Sequence, residues 1–253
     1  MYHILLAFII NLTIVSADTV INKSDWKKYF EGTTGTIIIV DDREKDSRTY
    51  VFNKERSETS FHPASTYKLP HTLFALDSEL IRDEKELISW NGVKRDYEPW
   101  NADQTLSSAL RYSTVWVFEE FAEKIGKNNT KKYLKKIEYG NMKHSGRNPY
   151  WINGDLRISS AQQITFLKRL SEGNLPFQQK HQNTLKKAMI LEQDNEKILR
   201  GKTGWNGEVG WFVGWMQIEE GNIYFALNID TKKTKDLPLR EKITKSILTE
   251  ISN

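Results

Sequence analysis

The chain contains no cysteine. Disulfides, thiolate chemistry, Cys-ligated zinc and a lipid anchor on an N-terminal cysteine are therefore excluded. Its five histidines (His3, His62, His71, His144 and His181) never fall at the His-x-x-x-His spacing of a zinc hydrolase, so no metal is expected. Asp, Glu, Lys and Arg are all absent from the first 17 positions. The apolar run from Ile4 to Val15 is too short for a comfortable membrane span but has the length of a signal-peptide core. Val15-Ser16-Ala17 then supplies small residues for cleavage after Ala17. This leader predicts a periplasmic or secreted protein with no stable membrane anchor. The net charge of +4 is dispersed, with acids and bases mixed as in Glu241-Lys242, so no nucleic-acid stripe is expected. A mildly positive protein favours anionic small molecules.

At 253 residues the chain is long enough for a sizeable core. Asp25 to Phe30 reads as a short helix and Gly35 to Asp41 as a buried β-branched strand, with Thr49 to Asn53 returning beside it. Helical signals dominate from Ser65 to about Asn174, with polar connections at Asn91 to Gln104 and Asn141 to Asn153. Beyond about Leu185 the strands return: Lys197 to Thr203, Glu208 to Ile218 and Ile223 to Ile229, joined by Gly-containing turns. An amphipathic helix from about Leu239 to Ile251 ends the chain. The pattern predicts an α/β (α+β) domain over 18–253. In it, a sheet lobe (about 18–58 and 185–253) receives an inserted helical lobe (about 59–184). A cleft between such lobes is a usual small-molecule site.

Three short words recur in a fixed order: Ser65-Thr66-Tyr67-Lys68, Ser113-Thr114-Val115 and Lys202-Thr203-Gly204. Ser-x-x-Lys alone is weak, since ordinary composition yields about one per chain of this length. A second copy, Ser24-Asp25-Trp26-Lys27, illustrates that. Setting separates the two. Ser65 precedes an apolar periodic run (Leu69, Leu73, Phe74, Leu76), so Lys68 stands on the same face, one turn on, at the head of a buried helix. Burial lowers a lysine's pKa and makes its amine a base for a serine nucleophile. Ser113 offers a second hydroxyl as a proton relay, although either serine could also be a helix N-cap. Lys202 and Thr203 offer a cation and a hydroxyl to an anionic substrate group, and Gly204 leaves room beside them. The backbone N–H of Trp205 could join that of Ser65 in an oxyanion hole.

Over essentially the whole mature chain the sequence resembles the class D, oxacillinase-type serine β-lactamases. The likeness rests on residues 63–70 (Pro-Ala-Ser-Thr-Tyr-Lys-Leu-Pro), Ser113-Thr-Val115, Tyr139-Gly-Asn141 and residues 151–159 (Trp-Ile-Asn-Gly-Asp-Leu-Arg-Ile-Ser). It continues through Lys202-Thr-Gly204, residues 210–215 and Leu237-Pro-Leu-Arg240. The middle word selects the class, because class A enzymes carry Ser-Asp-Asn there. The resemblance implies a β-lactamase/transpeptidase-like fold and ring opening through a Ser65 acyl-enzyme. It implies that Lys68 reacts with carbon dioxide to become N6-carboxylysine, the general base, with no other cofactor. Trp151 would hold that carboxylate, and Val115 and Ile152 would form an apolar gate over it. Arg240, Thr203, Gly204 and Trp205 would bind substrate. The alternatives are a β-lactam sensor, which shares the fold and motifs but stays acylated, and a penicillin-binding D,D-peptidase, which also acylates on Ser-x-x-Lys but against which Ser113-Thr-Val115 and Trp151 count.

Overall fold

The computed structural model describes residues 19–146 and 149–252. The expected leader and its cleavage site lie outside them. The strands are β1 (Thr19–Asn22), β2 (Gly35–Asp41), β3 (Arg48–Phe52), β4 (Leu87–Ile88), β5 (Gln104–Thr105), β6 (Ile190–Gln193), β7 (Ile198–Trp205), β8 (Val209–Ile218) and β9 (Gly221–Asp230). The α-helices are α1 (Lys54–Glu58), α2 (Lys68–Asp77), α3 (Leu106–Arg111), α4 (Val115–Ile125) and α5 (Lys127–Ile137). They continue with α6 (Tyr150–Asn153), α7 (Ser160–Ser171), α8 (Gln179–Ala188) and α9 (Leu239–Ser252).

Seven strands form one sheet in the order β1-β3-β2-β9-β8-β7-β6, so its centre joins the two ends of the chain. Every pairing is antiparallel except β1 with β3. The unbroken apolar run of β2 follows from burial on both faces. Ile37 and Ile39 pack with Trp26, Phe212, Phe225 and the α9 residues Ile243 and Ile247. Ile38 and Val40 join the opposite core, shared with Leu69, Leu73, Phe118, Trp211 and Trp215. Each such isoleucine contributes roughly 1.5–3 kcal/mol of burial. Gly207 takes φ 95° in the β7–β8 turn, a left-handed conformation that favours glycine.

Helix α2 is buried at nine consecutive positions, Lys68 to Leu76. It packs against α4 and α8 and runs through the middle of the helical layer. A helix buried all round is normally apolar all round. Lys68 and His71 break that rule.

The structure differs from the sequence reading at short elements. Strand β1 was not anticipated; its four residues are mostly exposed and carry no apolar alternation. The two-residue β4–β5 pair is likewise too short for a periodic signal. The polar connection expected from Asn141 to Asn153 ends in a helical turn, α6, which carries Trp151. Helix α8 continues to Ala188, beyond the point where strands were expected to resume.

Candidate active site

Ser65 lies in a 3-10 turn, Ala64–Tyr67, that leads straight into α2. Pro70 stands in the first turn of α2, and the switch from 3-10 to α geometry falls just before it. Ala64 holds φ 48°, a strained left-handed value for a residue with a Cβ. The turn is fastened from three sides. Thr66 Oγ1 donates to Pro63 O (2.7 Å) and accepts from Gln163 Nε2 of α7 (2.8 Å). Trp211 Nε1 of β8 donates to His62 O (2.9 Å). Strand β7 meets the turn at Gly204, where a Cβ would stand 3.0 Å from Pro63 O and 3.2 Å from Ser65 N. That close approach favours glycine, since a Cβ would press on the backbone of the Ser65 turn.

Lys68 is 0% exposed, and its Nζ donates to Ser65 Oγ at 3.0 Å. Beyond that oxygen, the Phe118 ring centroid lies 5.2 Å from Nζ. Burial brings the pKa of Lys68 down from the ordinary lysine range to about 7, only partly opposed by the Glu119 carboxylate. The amine is thus half neutral near physiological pH. The second Ser-x-x-Lys word behaves differently: Ser24 and Lys27 both face solvent on a 3-10 helix, with only Trp26 and Phe30 turned inward.

Across the cleft, Lys202 Nζ donates to Ser113 Oγ and to Thr203 O (3.0 Å). Ser113 occupies the left-handed region at φ 53°. Burial, reinforced by the charge of Lys68, pushes the pKa of Lys202 well below its usual value. Neither serine is a helix cap. The N-cap of α2 is Tyr67 and that of α4 is Thr114, and neither cap makes a side-chain capping bond. Both hydroxyls are spent on lysines instead.

Strand β6 pairs with β7 only as far as Ile190 opposite Arg200. Lys202 to Trp205 pair with β8 on one side and run past the end of β6 on the other. A cavity of about 310 Å³ lies along this stretch, lined by Leu110, Arg111, Ile190, Gly201, Lys202 and Thr203 among others. An edge of this kind takes an extended ligand by main-chain hydrogen bonds. At its end Arg240, the second residue of α9 and 9% exposed, donates from Nη1 to Gly204 O (2.8 Å) and from Nε to Leu237 O (2.7 Å). Trp205 Nε1 donates to Thr231 O (2.9 Å), which fixes its ring at the same corner. Gly210 makes room for Arg240; a Cβ there would stand 2.8 Å from Arg240 Cδ.

Trp151 is 1% exposed, stacks on Tyr67 (5.6 Å between centroids), and its Nε1 has no hydrogen-bond partner among the described residues. Val115 begins α4 and Ile152 lies in α6, both half-buried. The structure thus groups Ser65, Lys68, Ser113 and Lys202 in two lysine–serine pairs. Thr203, Gly204, Trp205 and Arg240 sit at one end of β7, and Trp151 lies in the aromatic shell beneath α2.

Sequence reasoning missed His71. It is fully buried between Tyr67, Phe118 and Trp151, and both ring nitrogens lack partners among the described residues. Its spacing of three from Lys68 was the available signal.

A two-lobed fold with a buried Ser-x-x-Lys facing a second lysine–serine pair across a strand edge defines an acyl-transfer domain of the penicillin-binding type. The family model described as the penicillin binding protein transpeptidase domain matches residues 30–249. The chain is 48% identical over 235 residues to β-lactamase OXA-2 of Salmonella typhimurium, covering 91% of this chain and 86% of that protein. It superposes with a TM-score of 0.86 on the crystal structure of FUS-1 (OXA-85), a class D β-lactamase from Fusobacterium nucleatum subsp. polymorphum. That match has 32% identity and covers 91% of this chain and 98% of that one. The regulatory protein BlaR1 of Bacillus licheniformis is 35% identical over 224 residues, 87% of this chain but 37% of that protein. The chain belongs to the class D serine β-lactamases.

Proposed function

We propose that the protein hydrolyses the amide of penicillin-type β-lactams through an acyl-enzyme on Ser65, and so confers resistance to them. One observation carries this reading. A fully buried lysine amine, with its pKa brought to about 7, lies 3.0 Å from the hydroxyl of Ser65.

Lys68 takes the Ser65 proton as Oγ bonds to the lactam carbonyl carbon. The developing oxyanion is received by the backbone N–H groups of Ser65 and Trp205. As the ring C–N bond breaks, Ser113 hands a proton to the nitrogen and is replenished through Lys202 by the proton that Lys68 took from Ser65, which returns Lys68 to its neutral form. Arg240 and Thr203 hold the substrate carboxylate, a two-pronged contact suited to a guanidinium. Water then attacks the ester carbonyl; Lys68, neutral again, takes a proton from that water and returns it to Ser65 Oγ as the ester C–O bond breaks. Val115 and Ile152 shield Lys68 from bulk water. Export into the periplasm or medium places the enzyme where it meets the drug.

The residues fit N-carboxylation of Lys68 by carbon dioxide. The reaction needs an uncharged amine, and the buried Trp151 N–H lacks a partner that a carboxylate would supply. That group, when present, would supply an oxygen base in place of the amine nitrogen. Trp151→Ala is expected to raise the bicarbonate needed for half-maximal rate by about tenfold, with activity recovered at saturation. A wild-type-like bicarbonate dependence of this variant would remove Trp151 from the assignment.

The likeness to BlaR1 motivates the alternative of a sensor or D,D-peptidase that acylates and stops. Steady-state hydrolysis of a chromogenic cephalosporin, with and without bicarbonate, separates the two. Sustained turnover that rises with bicarbonate supports the hydrolase. A single stoichiometric burst that then stalls supports the alternative.

A further inference from the structure

The interior of α2 holds a polar group that the mechanism above does not use. His71 follows Lys68 by one helical turn and is 0% exposed. Its ring centroid lies 5.5 Å from that of Trp151 and 5.8 Å from that of Phe118, the same ring that lies 5.2 Å from Lys68 Nζ. Tyr67 and Phe121 complete the surround, at 5.2 and 6.5 Å. An imidazole always carries at least one N–H. Here neither ring nitrogen has a hydrogen-bond partner among the described residues, and neither has Trp151 Nε1. Two buried donors without acceptors among the described residues therefore lie side by side, one helical turn from a buried lysine, in a core where phenylalanine would fill the same space as the histidine without that cost.

We infer that His71 is a second positioning residue for the carboxylated lysine: its ring N–H and the Trp151 N–H together form the donor shell of an anion carried on Lys68 Nζ. The inference rests on the proposed carboxylation and extends it to a residue on the chain's own central helix. Carboxylation forms an Nζ–C bond with carbon dioxide, turns one C=O into C–O⁻ and releases one Nζ proton. Nothing is oxidised or reduced. The position's charge thereby passes from positive or zero to negative. An orphaned imidazole N–H is unfavourable beside an ammonium and favourable beside a carboxylate. Burial and the Lys68 charge hold His71 down to about 3, so at neutral pH it is uncharged and acts as a dipolar donor without forming an ion pair with the carboxylate.

The test follows carboxylation directly. Protein with 13C-bicarbonate is titrated and the lysine carbamate carbon is observed by NMR for wild type, His71→Leu and His71→Asn. His71→Leu should raise half-saturating bicarbonate by about tenfold. His71→Asn, which keeps an N–H donor, should fall closer to wild type. Steady-state kinetics should show kcat lowered at ambient bicarbonate and restored at saturation, with KM little changed. A merely structural role would move thermal stability and leave the bicarbonate titration alone. In the wild type, the His71 ring 15N resonances should shift when the carbamate signal grows, a measurement that needs no variant to fold. Absence of any carbamate signal in the wild type would overturn the carboxylation reading. A clear carbamate signal with a wild-type titration in His71→Leu, or with unmoved His71 resonances, would overturn the role of His71 alone.

Discussion

Ser65→Ala is expected to lose kcat/KM by about 10⁴- to 10⁶-fold, the range seen when the nucleophile of an acyl-transfer enzyme is removed. No second hydroxyl stands in for it. Thr66 Oγ1, the adjacent candidate, is committed to Pro63 O and Gln163 Nε2. Ser113 Oγ is held by Lys202. The loss should be chemical and leave the fold intact, because Ser65 caps no helix and its turn is fastened through Thr66, His62 and Gly204. Mass spectrometry after mixing with a penicillin checks this. The wild type should gain the mass of the opened drug during turnover, and the variant should gain none while its melting temperature stays within a few degrees. A covalent adduct on the variant would assign the nucleophile to another residue.

What could be read in the sequence depended on how locally each feature is encoded. Gly35 to Asp41 was legible to the residue because burial on both faces demands an unbroken apolar run. The three motifs were legible because each is a short run of residues on a turn or strand end that its own neighbours specify. The partnership of Ser113 with Lys202 was a different matter, as 89 residues separate them and only the packing of helices against β7 brings them together. Strand β1 and the β4–β5 pair escaped notice because two to four residues carry no periodicity. His71 was passed over for a third reason. A histidine in an apolar run usually signals a satisfied core residue, and only the tertiary structure reveals that both its nitrogens lack partners among the described residues.

Lys68→Met should separate the chemical use of the buried amine from its cost to the fold. Removing a general base costs about 10²- to 10⁴-fold in rate, and the remaining activity should no longer respond to bicarbonate. Stability should move the other way, since methionine fills a similar buried volume beside Phe118 without a charge to desolvate. The pH dependence has a definite sign. The folded-state pKa of Lys68 is about 7, whereas the unfolded lysine titrates near 10.5. Between these values the unfolded chain binds more protons than the folded one, so the contribution of Lys68 to stability rises with pH across that window. Below about pH 7 both states are protonated and the cost of burying the charge is constant. The melting-temperature advantage of Lys68→Met should therefore be largest at and below pH 7 and shrink toward pH 10.5. Bicarbonate should narrow the gap as well, because it reacts with the native wild type alone and stabilises it by mass action. The same titration governs catalysis: wild-type kcat at limiting bicarbonate should fall about tenfold per unit below pH 7, where the amine is protonated and unreactive. If Lys68→Met melts below the wild type at pH 6 without bicarbonate, the amine is held by a favourable interaction that outweighs its burial, and its place as a poised neutral base is lost.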